Sequence, residues 1–344
     1  MNSYERIMKT MRLEEPDRVP ISEFVIDPIV YKALLPNAKE QSEFEEAFDL
    51  DVVGARAFYA PVWEQGNLVK DEWGIIYQRN SEVVLHPVKG PLQEEGNFDL
   101  NAFTVPSSDD PKRVGRLAAL KKQFKGKRAI GFHQRAFFLW ATMIVGFDRL
   151  LMYLYEEPDF VHELFDKILE CQISLAVTAI KGGADIIFET DDYAFNNGPL
   201  CSPALFEEFI FPRLKKFVDA VHARGAKMVK HTDGNVMKLL PGMIATGIDA
   251  LHSIDPIAGM DLGEVKRLYG NQISLWGNVD CGSLLTSGTE QQVEDAVKEC
   301  IRVAASGGGY VLQSSNSITS NTKPENFARM IKAGKEFGKY PIKL

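Results

Sequence analysis

The feature that most constrains the fold is a repeated pattern in the second half of the chain, from residue 184 onward. A short run rich in β-branched residues is followed by a few polar residues, and then by a stretch with helical apolar spacing. We expect five strands here, at 184–189, 227–231, 250–254, 273–277 and 309–314. Three of them start about 23 residues apart, close to the minimum for a strand and a crossover helix, so the pattern predicts parallel βαβ units.

Three further strands are expected upstream, at residues 18–24, 51–56 and 128–133, which brings the total to eight. Eight parallel strands, each followed by a helix, close into a barrel. A doubly wound open sheet is the alternative, but no GxGxxG motif follows the first strand. The sequence therefore predicts one α/β domain over residues 1–344, a (β/α)8 TIM barrel.

Two additions to the minimal barrel are expected between the second and fourth strands. Residues 67–92 alternate in polarity and contain turn signals, which predicts an inserted hairpin over part of the barrel mouth. Two consecutive helices, at about 136–155 and 158–181, follow the third strand. Later helices should begin at Ser202-Pro203 and at Pro324. The glycines at 307–309 precede the last strand, so they predict a tight turn away from the mouth.

Composition narrows the function classes. The chain has 39 basic and 47 acidic residues, a net charge of −8, and no dense run of Lys or Arg, which disfavours binding to nucleic acids or anionic membranes. Its amino terminus lacks an apolar signal segment, which predicts a cytoplasmic protein. Its four cysteines lie far apart and form no CxxC pair, so neither a disulfide framework nor a thiolate zinc cluster is indicated.

Reacting groups in a TIM barrel lie at the carboxyl ends of the strands and in the loops that follow them. In this chain those positions are rich in carboxylates, amides and histidines. They are Glu189, Asp191, Asp192, His231, Asp233, His252, Asp255, Asn278, Asp280, Ser314, Ser315 and Asn316.

The most specific local pattern is His231-x-Asp233. Side chains two apart in an extended segment share a face, so His231 and Asp233 can converge on one metal ion. Glu189 or Asp191 could supply a third ligand, as a catalytic zinc site requires. The alternative, that His231 and Asp233 only form hydrogen bonds at the strand end, stays open.

Other residues are candidates for contact with substrate. Arg56, Tyr59, Arg135 and Phe137 lie among aromatic residues near the first three strand ends and suit a planar ligand with an anionic substituent. Packing is the alternative for the aromatic residues. The same candidate set includes Asp280, Asn316 and His252, although a lone histidine between apolar neighbours is more often a core residue. The loops at 277–282 and 314–317 could hold phosphate, but they lack Lys and Arg.

Several stretches together resemble the uroporphyrinogen decarboxylase superfamily. They are RVP at 18–20, HTDGN at 231–235, GNVDCG at 277–282 and SSNSI at 314–318. The resemblance spans nearly the whole chain and is strongest after residue 180. The superfamily includes two chemistries: decarboxylation of a tetrapyrrole without a cofactor, and zinc-dependent methyl transfer to or from a corrinoid protein.

Two departures from the family patterns decide between these chemistries. The decarboxylases carry an arginine-rich signature of the type MRQAGR, whereas the corresponding residues 21–26 of this chain, ISEFVI, contain no arginine to pair with the carboxylates of a tetrapyrrole. The thiol-methylating enzymes bind zinc through His-x-Cys and a later Cys, and here Asp233 and Asn316 stand at those positions. Oxygen ligands make a metal more Lewis-acidic and better suited to polarising an ether oxygen.

The resemblance therefore implies a methyltransferase of the corrinoid-dependent O-demethylase type, which passes the methyl group of a methoxylated aromatic compound to the cobalt of a corrinoid protein. It implies zinc bound by His231, Asp233 and Glu189, with Asp191 and Asn278 orienting the substrate or the ligands. A metal-free decarboxylase that uses Asp191 or Asp233, and a non-catalytic corrinoid or tetrapyrrole carrier, are the alternatives. The oligomeric state is open, and a homodimer is one option.

Overall fold

The computed structural model describes residues 1–79, 85–94, 98–101 and 103–344. Its strands are β1 (Val52–Arg56), β2 (Pro61–Gln65), β3 (Leu68–Asp71), β4 (Ile76–Arg79), β5 (Leu85–Lys89), β6 (Ala129–Gln134), β7 (Ile186–Glu189), β8 (Ala194–Phe195), β9 (Gly198–Pro199), β10 (Lys227–His231), β11 (Ala250–His252), β12 (Ser274–Val279) and β13 (Tyr310–Ser314). Seven of them form one parallel sheet in the order β1-β6-β7-β10-β11-β12-β13. The predicted TIM barrel is confirmed.

Helices surround this sheet. They are α1 (Ser3–Thr10), α2 (Pro28–Leu34), α3 (Gln41–Ala47), α4 (Leu117–Phe124), α5 (Phe138–Val145), α6 (Phe147–Glu156), α7 (Pro158–Gly182), α8 (Pro203–Leu205), α9 (Phe211–His222), α10 (Leu240–Ala245), α11 (Leu262–Tyr269), α12 (Leu284–Ser287), α13 (Glu290–Ala304) and α14 (Pro324–Phe337). A 3-10 turn lies at Pro111–Val114 and a π-helical turn at Phe206–Ile210. Within the described ranges, no single helix is long and apolar enough to cross a membrane.

The predicted first strand, residues 18–24, is not a regular strand. Its backbone makes only a few bonds: Ser22 N donates to Leu312 O of β13 (3.1 Å), and Asp51 N donates to Ile21 O (2.7 Å). Proline at position 20 has no N–H to offer, and the N–H of Ile21 donates to the Asp51 carboxylate (2.7 Å) instead of to a strand carbonyl. The segment thus closes the barrel between β13 and β1 without forming a continuous ladder.

The barrel interior is a small apolar cluster built from alternate strand residues. It includes Val229 of β10, Trp276 of β12 and Val311 of β13. Ile7 and Met11, from α1 and the residue that follows it, join this cluster and cover its lower end. A much larger apolar layer lies between the strands and the outer helices. The polar side chains of the candidate site lie at the opposite, upper end of the barrel, where the strands finish.

The inserted segment is larger than the single hairpin predicted for residues 67–92. Strands β2 to β5 form a four-stranded antiparallel sheet, and residues 80–84 of the predicted hairpin lie outside the described residues. Trp73 is fully buried and stacks on Trp140 of α5, with ring centroids 4.5 Å apart. Because α5 follows the carboxyl end of β6, this sheet lies beside the barrel mouth.

The helix predicted at 136–155 is two helices, α5 and α6, that meet at an angle of 103°. Gly146 lies between them with a φ of +99°, a backbone conformation that favours glycine. The other helix signals are confirmed: the Ser202 side chain accepts from the N–H of Leu205, and Pro203 and Pro324 each start a helix. The glycines at 307–309 all have positive φ and form the turn that enters β13.

Candidate metal centre

Three histidines point into the upper barrel interior around one aromatic ring. His133, His231 and His252 are buried at the ends of β6, β10 and β11. Phe24 packs against all of them, with ring centroids 4.8 Å from His133, 4.6 Å from His231 and 5.6 Å from His252. The β alternation explains this placement, because His231 shares a face with the interior residue Val229.

Two carboxylates lie beside the outward edge of the His231 ring. Nε2 of His231 is 3.8 Å from Oδ1 of Asp192 and 3.7 Å from Oδ1 of Asp233. One ligand atom from each of the three residues lies within 4.8 Å of the others, which is close enough to hold a metal ion. The two carboxylates are tied together, since the N–H of Asp233 donates to Oδ1 of Asp192 (3.0 Å).

Asn316 and Ser253 hold the Asp233 carboxylate in place. Asn316 Nδ2 donates to Oδ2 of Asp233, and the Ser253 hydroxyl donates to Oδ1 (3.3 Å). The predicted position of Asn316 near His231-x-Asp233 is therefore seen in the structure. Its role there is to orient a candidate ligand, as supporting residues of metal sites commonly do.

The electrostatics of this cluster favour a bound cation. Burial, together with the nearby carboxylates of Asp192 and Asp255, raises the pKa of Asp233 to about 7. Among the described residues, no Lys or Arg forms an ion pair with Asp192, Asp233 or Asp255. Burial lowers the pKa of His231 to about 3, which leaves a neutral imidazole able to act as a ligand. One nitrogen and two carboxylate oxygens fit the donor set of a zinc site with an open position.

Glu189, predicted as the third ligand, lies on the other side of the sheet. It is in register with Lys230 of β10, and its Oε2 is 2.6 Å from Lys230 Nζ, with both side chains fully buried. Residues in register point to the same face, whereas His231, the next residue, points to the opposite one. The carboxylate that the structure brings to His231 is that of Asp192.

Asp191 also faces away from the metal cluster. Its Oδ2 accepts hydrogen bonds from the N–H groups of Phe137 (2.9 Å) and Phe138 (2.8 Å), at the start of α5. A carboxylate at this point satisfies free helix N–H groups and faces the positive end of the helix dipole. Asp191 therefore positions α5 and, being fully buried, has no surface free for substrate.

Asn278 and Asp280 are likewise engaged within the protein. The Asn278 amide donates to Ile254 O (2.8 Å), and its Oδ1 accepts from Cys300 of α13. Oδ1 of Asp280 accepts from the N–H groups of Gly282 (2.7 Å) and Ser283 (3.0 Å), so this carboxylate organises its own loop. These bonds hold both side chains within the protein, and their roles at the substrate stay predictions.

Three further residues predicted to contact substrate pack or form hydrogen bonds within the protein. Phe137 is fully buried against Phe165 of α7. His252 is fully buried behind His231, so it cannot contact a ligand in the mouth. Tyr59 packs edge-on against Trp140, and its hydroxyl accepts from Gln172 Nε2 (3.0 Å), which supports the packing alternative for this ring.

The two predicted arginines remain available at the mouth. Arg56 ends β1, and Arg135 follows β6, its immediate neighbour in the sheet. Both are exposed, and the described residues include no ion-pair partner for either. Arg135 lies over the Trp140 ring, 5.2 Å from its centroid. Part of the Arg56 side chain is exposed to water, but protein atoms surround most of it. The resulting partial desolvation lowers the pKa of its guanidinium.

The sequence did not indicate the part that Asp192 and Phe24 have in this site. Asp192 is the last acidic residue of the run ETDD at 189–192. The spacing of these acidic residues does not indicate which of them turns towards His231. Phe24 is the last residue of the irregular segment 18–24, and no local pattern indicates that its ring enters the barrel. Both depend on chain segments that are distant in sequence.

Comparison with known proteins agrees with this fold. The profile of the family described as uroporphyrinogen decarboxylase (URO-D) matches residues 81–337. A solved structure of a methyltransferase from Methanosarcina mazei superimposes with a TM-score of 0.76 over 98% of this chain and 99% of that chain, at 22% sequence identity. At that identity the superposition supports the fold and leaves the reaction open.

Curated relatives carry two different activities in their names. A uroporphyrinogen decarboxylase from Pseudoalteromonas translucida is 25% identical over 252 residues, which is 67% of this chain and 66% of that protein. A methylated-thiol–coenzyme M methyltransferase from Methanosarcina mazei is 25% identical over 226 residues, which is 66% of this chain and 58% of that protein. The matched region thus spans less than two thirds of the length of both relatives.

Proposed function

The chain belongs to the uroporphyrinogen decarboxylase family, and we propose that within this family it is a zinc-dependent methyltransferase. Its methyl donor is a methoxylated aromatic compound, and its acceptor is the cobalt of a corrinoid protein. The observation that carries this proposal is the cluster of His231, Asp192 and Asp233, which offers nitrogen and oxygen donors and no thiolate. Such a donor set suits an oxygen substrate better than a thiol.

Each residue of the site has a part in this proposal. His231, Asp192 and Asp233 would hold the metal, and Asn316 orients Asp233. A zinc ion held there would supply Lewis acidity towards the ether oxygen of the substrate. Arg56 and Arg135 bind an anionic substituent of the aromatic ring, which fixes the methyl group in one orientation.

The corrinoid protein would reach the methyl group from the barrel mouth, where Asp192 and Asp233 are partly exposed. The amino-terminal residues give a second argument for methyl transfer over tetrapyrrole decarboxylation, because residues 21–26 contain no arginine. In the structure this segment instead places Phe24 against His231. An apolar ring at this position suits an aromatic substrate and offers nothing to the carboxylates of a tetrapyrrole.

Asp192→Asn should weaken zinc binding by roughly 10- to 100-fold, since the variant exchanges a charged ligand for a neutral one. The measurement is competitive titration of the metal-free protein with a zinc-binding dye. Asp280→Asn is the matched control: it makes the same chemical change at the mouth, but Asp280 is bound to its own loop. Its zinc affinity should stay within about twofold of the wild type. Equal affinities for both variants would remove Asp192 from the ligand set.

The activity itself is tested by mixing the protein with a methoxybenzoate and a reduced corrinoid protein. We expect the visible spectrum of the corrinoid to change to that of methyl-cobalt, and the free phenol to appear in equal amount. A chelator should abolish both. Release of carbon dioxide by chelator-treated protein, without any phenol, would contradict the proposal and favour a metal-free decarboxylase.

A further inference from the structure

His231 and His252 form a direct hydrogen bond between like nitrogens. Nδ1 of His231 lies 2.7 Å from Nδ1 of His252, so one of the two must carry the proton and the other must accept it. The second nitrogen of His252, Nε2, lies 3.0 Å from the backbone carbonyl oxygen of Ser314. These two contacts, together with the burial of His252, assign the protons of both rings.

The backbone carbonyl oxygen of Ser314 can only accept a hydrogen bond. Nε2 of His252 must therefore carry a proton. His252 is fully buried, and it makes no contact with a carboxylate among the residues that the structure describes, so the ring stays neutral. With Nε2 protonated, Nδ1 of His252 is the acceptor, and Nδ1 of His231 is the donor.

The proton on Nδ1 of His231 determines the state of the other ring nitrogen, Nε2. A neutral imidazole with its proton on Nδ1 has a free lone pair on Nε2. That atom is the one beside the carboxylates of Asp192 and Asp233. The stack of Phe24 on the His231 ring, with an interplanar angle of 23°, keeps the ring in this orientation.

We propose that His252 is a positioning residue: through Ser314 O it fixes His231 as the Nδ1–H tautomer and so directs the Nε2 lone pair to the candidate metal centre. The tautomer of His231 does not depend on which reaction the protein catalyses. Its role in metal binding rests on the proposed function. Ser314 is well placed to anchor this chain of bonds, because it is paired with Val279 in the parallel ladder of β12 and β13.

The tautomer can be tested in the metal-free wild-type protein. Histidine-labelled full-length protein is examined by long-range proton–nitrogen NMR, which distinguishes a protonated ring nitrogen from one with a lone pair. The chain has six histidines, and His231→Asn identifies the signals of His231. We expect Nδ1 of His231 and Nε2 of His252 to carry the protons at neutral pH. A proton on Nε2 of His231 would overturn the proposal, whether or not the protein binds zinc.

A matched pair of variants tests the use of this bond. Asn and Leu have the same branching and the same number of side-chain heavy atoms, but only Asn at position 252 offers an oxygen where Nδ1 accepts the His231 proton. His252→Leu should weaken zinc binding roughly 10- to 100-fold, as loss of supporting residues does at other metal sites, whereas His252→Asn should remain within about threefold of the wild type. Circular dichroism checks that both variants fold. Equal zinc affinities of the two folded variants would contradict the role, and a wild type that binds no zinc would instead contradict the proposed function.

Discussion

His231→Ala is expected to remove zinc from the purified protein and to abolish methyl transfer. His231 is the sole nitrogen donor of the three-residue cluster, and its neutral ring faces two carboxylates through Nε2. Without it, Asp192 and Asp233 are two partly exposed carboxylates with no neutral ligand to complete the site. The loss should exceed the roughly 10- to 100-fold effect typical of a supporting residue. Metal analysis and the corrinoid assay measure both effects.

The matched control for this variant is His162→Ala. His162 lies on α7, where its Nε2 is 3.8 Å from Oε1 of the exposed Glu208. Removing this imidazole changes the histidine content equally but leaves the barrel mouth intact. Zinc content and transfer rate should equal those of the wild type. Unchanged zinc and unchanged transfer in His231→Ala would contradict the metal site and the mechanism together.

Asp51→Asn should strongly destabilise the fold. The Asp51 side chain is fully buried below β1, where Oδ1 accepts from Arg6 (2.5 Å) and Oδ2 from Arg18 (2.8 Å). Oδ2 also accepts the N–H of Ile21, which closes the barrel. An amide leaves two largely buried guanidinium groups without this counter-charge, which typically costs about 3–5 kcal/mol. The free energy of unfolding in urea is the measurement.

Asp49→Asn provides the comparison for this network. Asp49 is also paired with Arg18, at 3.1 Å, but its side chain is half exposed. Water compensates for the lost charge there, so the free energy of unfolding should fall by less than about 1 kcal/mol. If the two variants lose equal stability, the buried position of Asp51 has no special effect, and the account of barrel closure is wrong.

The sequence allowed the seven regular strands to be predicted, because their apolar runs and helical intervals are local patterns. The prediction of a regular strand at residues 18–24 was wrong for two reasons that local patterns do not show. Pro20 cannot donate to a ladder, and the N–H of Ile21 is taken by the side chain of Asp51, about 30 residues away. The division of the predicted 136–155 helix at Gly146 depends similarly on how α5 and α6 pack.

The location of the candidate site could be predicted from the sequence, but only some of the residues that form it could. Strand ends gave His231 and Asp233, and the resemblance gave Asn316, all of which meet in the structure. Alternation shows which residues of one strand share a face, but it does not give the register between strands. That register pairs Glu189 with Lys230, and so excludes it from the cluster. The contacts of Asp280 depend on the conformation of the loop after β12, which has no periodic signal.

The most direct test of the central claim is the metal content of the wild-type protein. Protein purified with zinc in the medium should contain one zinc ion per chain, and dialysis against a chelator should remove the zinc and the methyl transfer to the corrinoid protein together. Readdition of zinc should restore the transfer. Protein that contains no zinc, binds none on titration and releases carbon dioxide from an acid substrate would contradict the account.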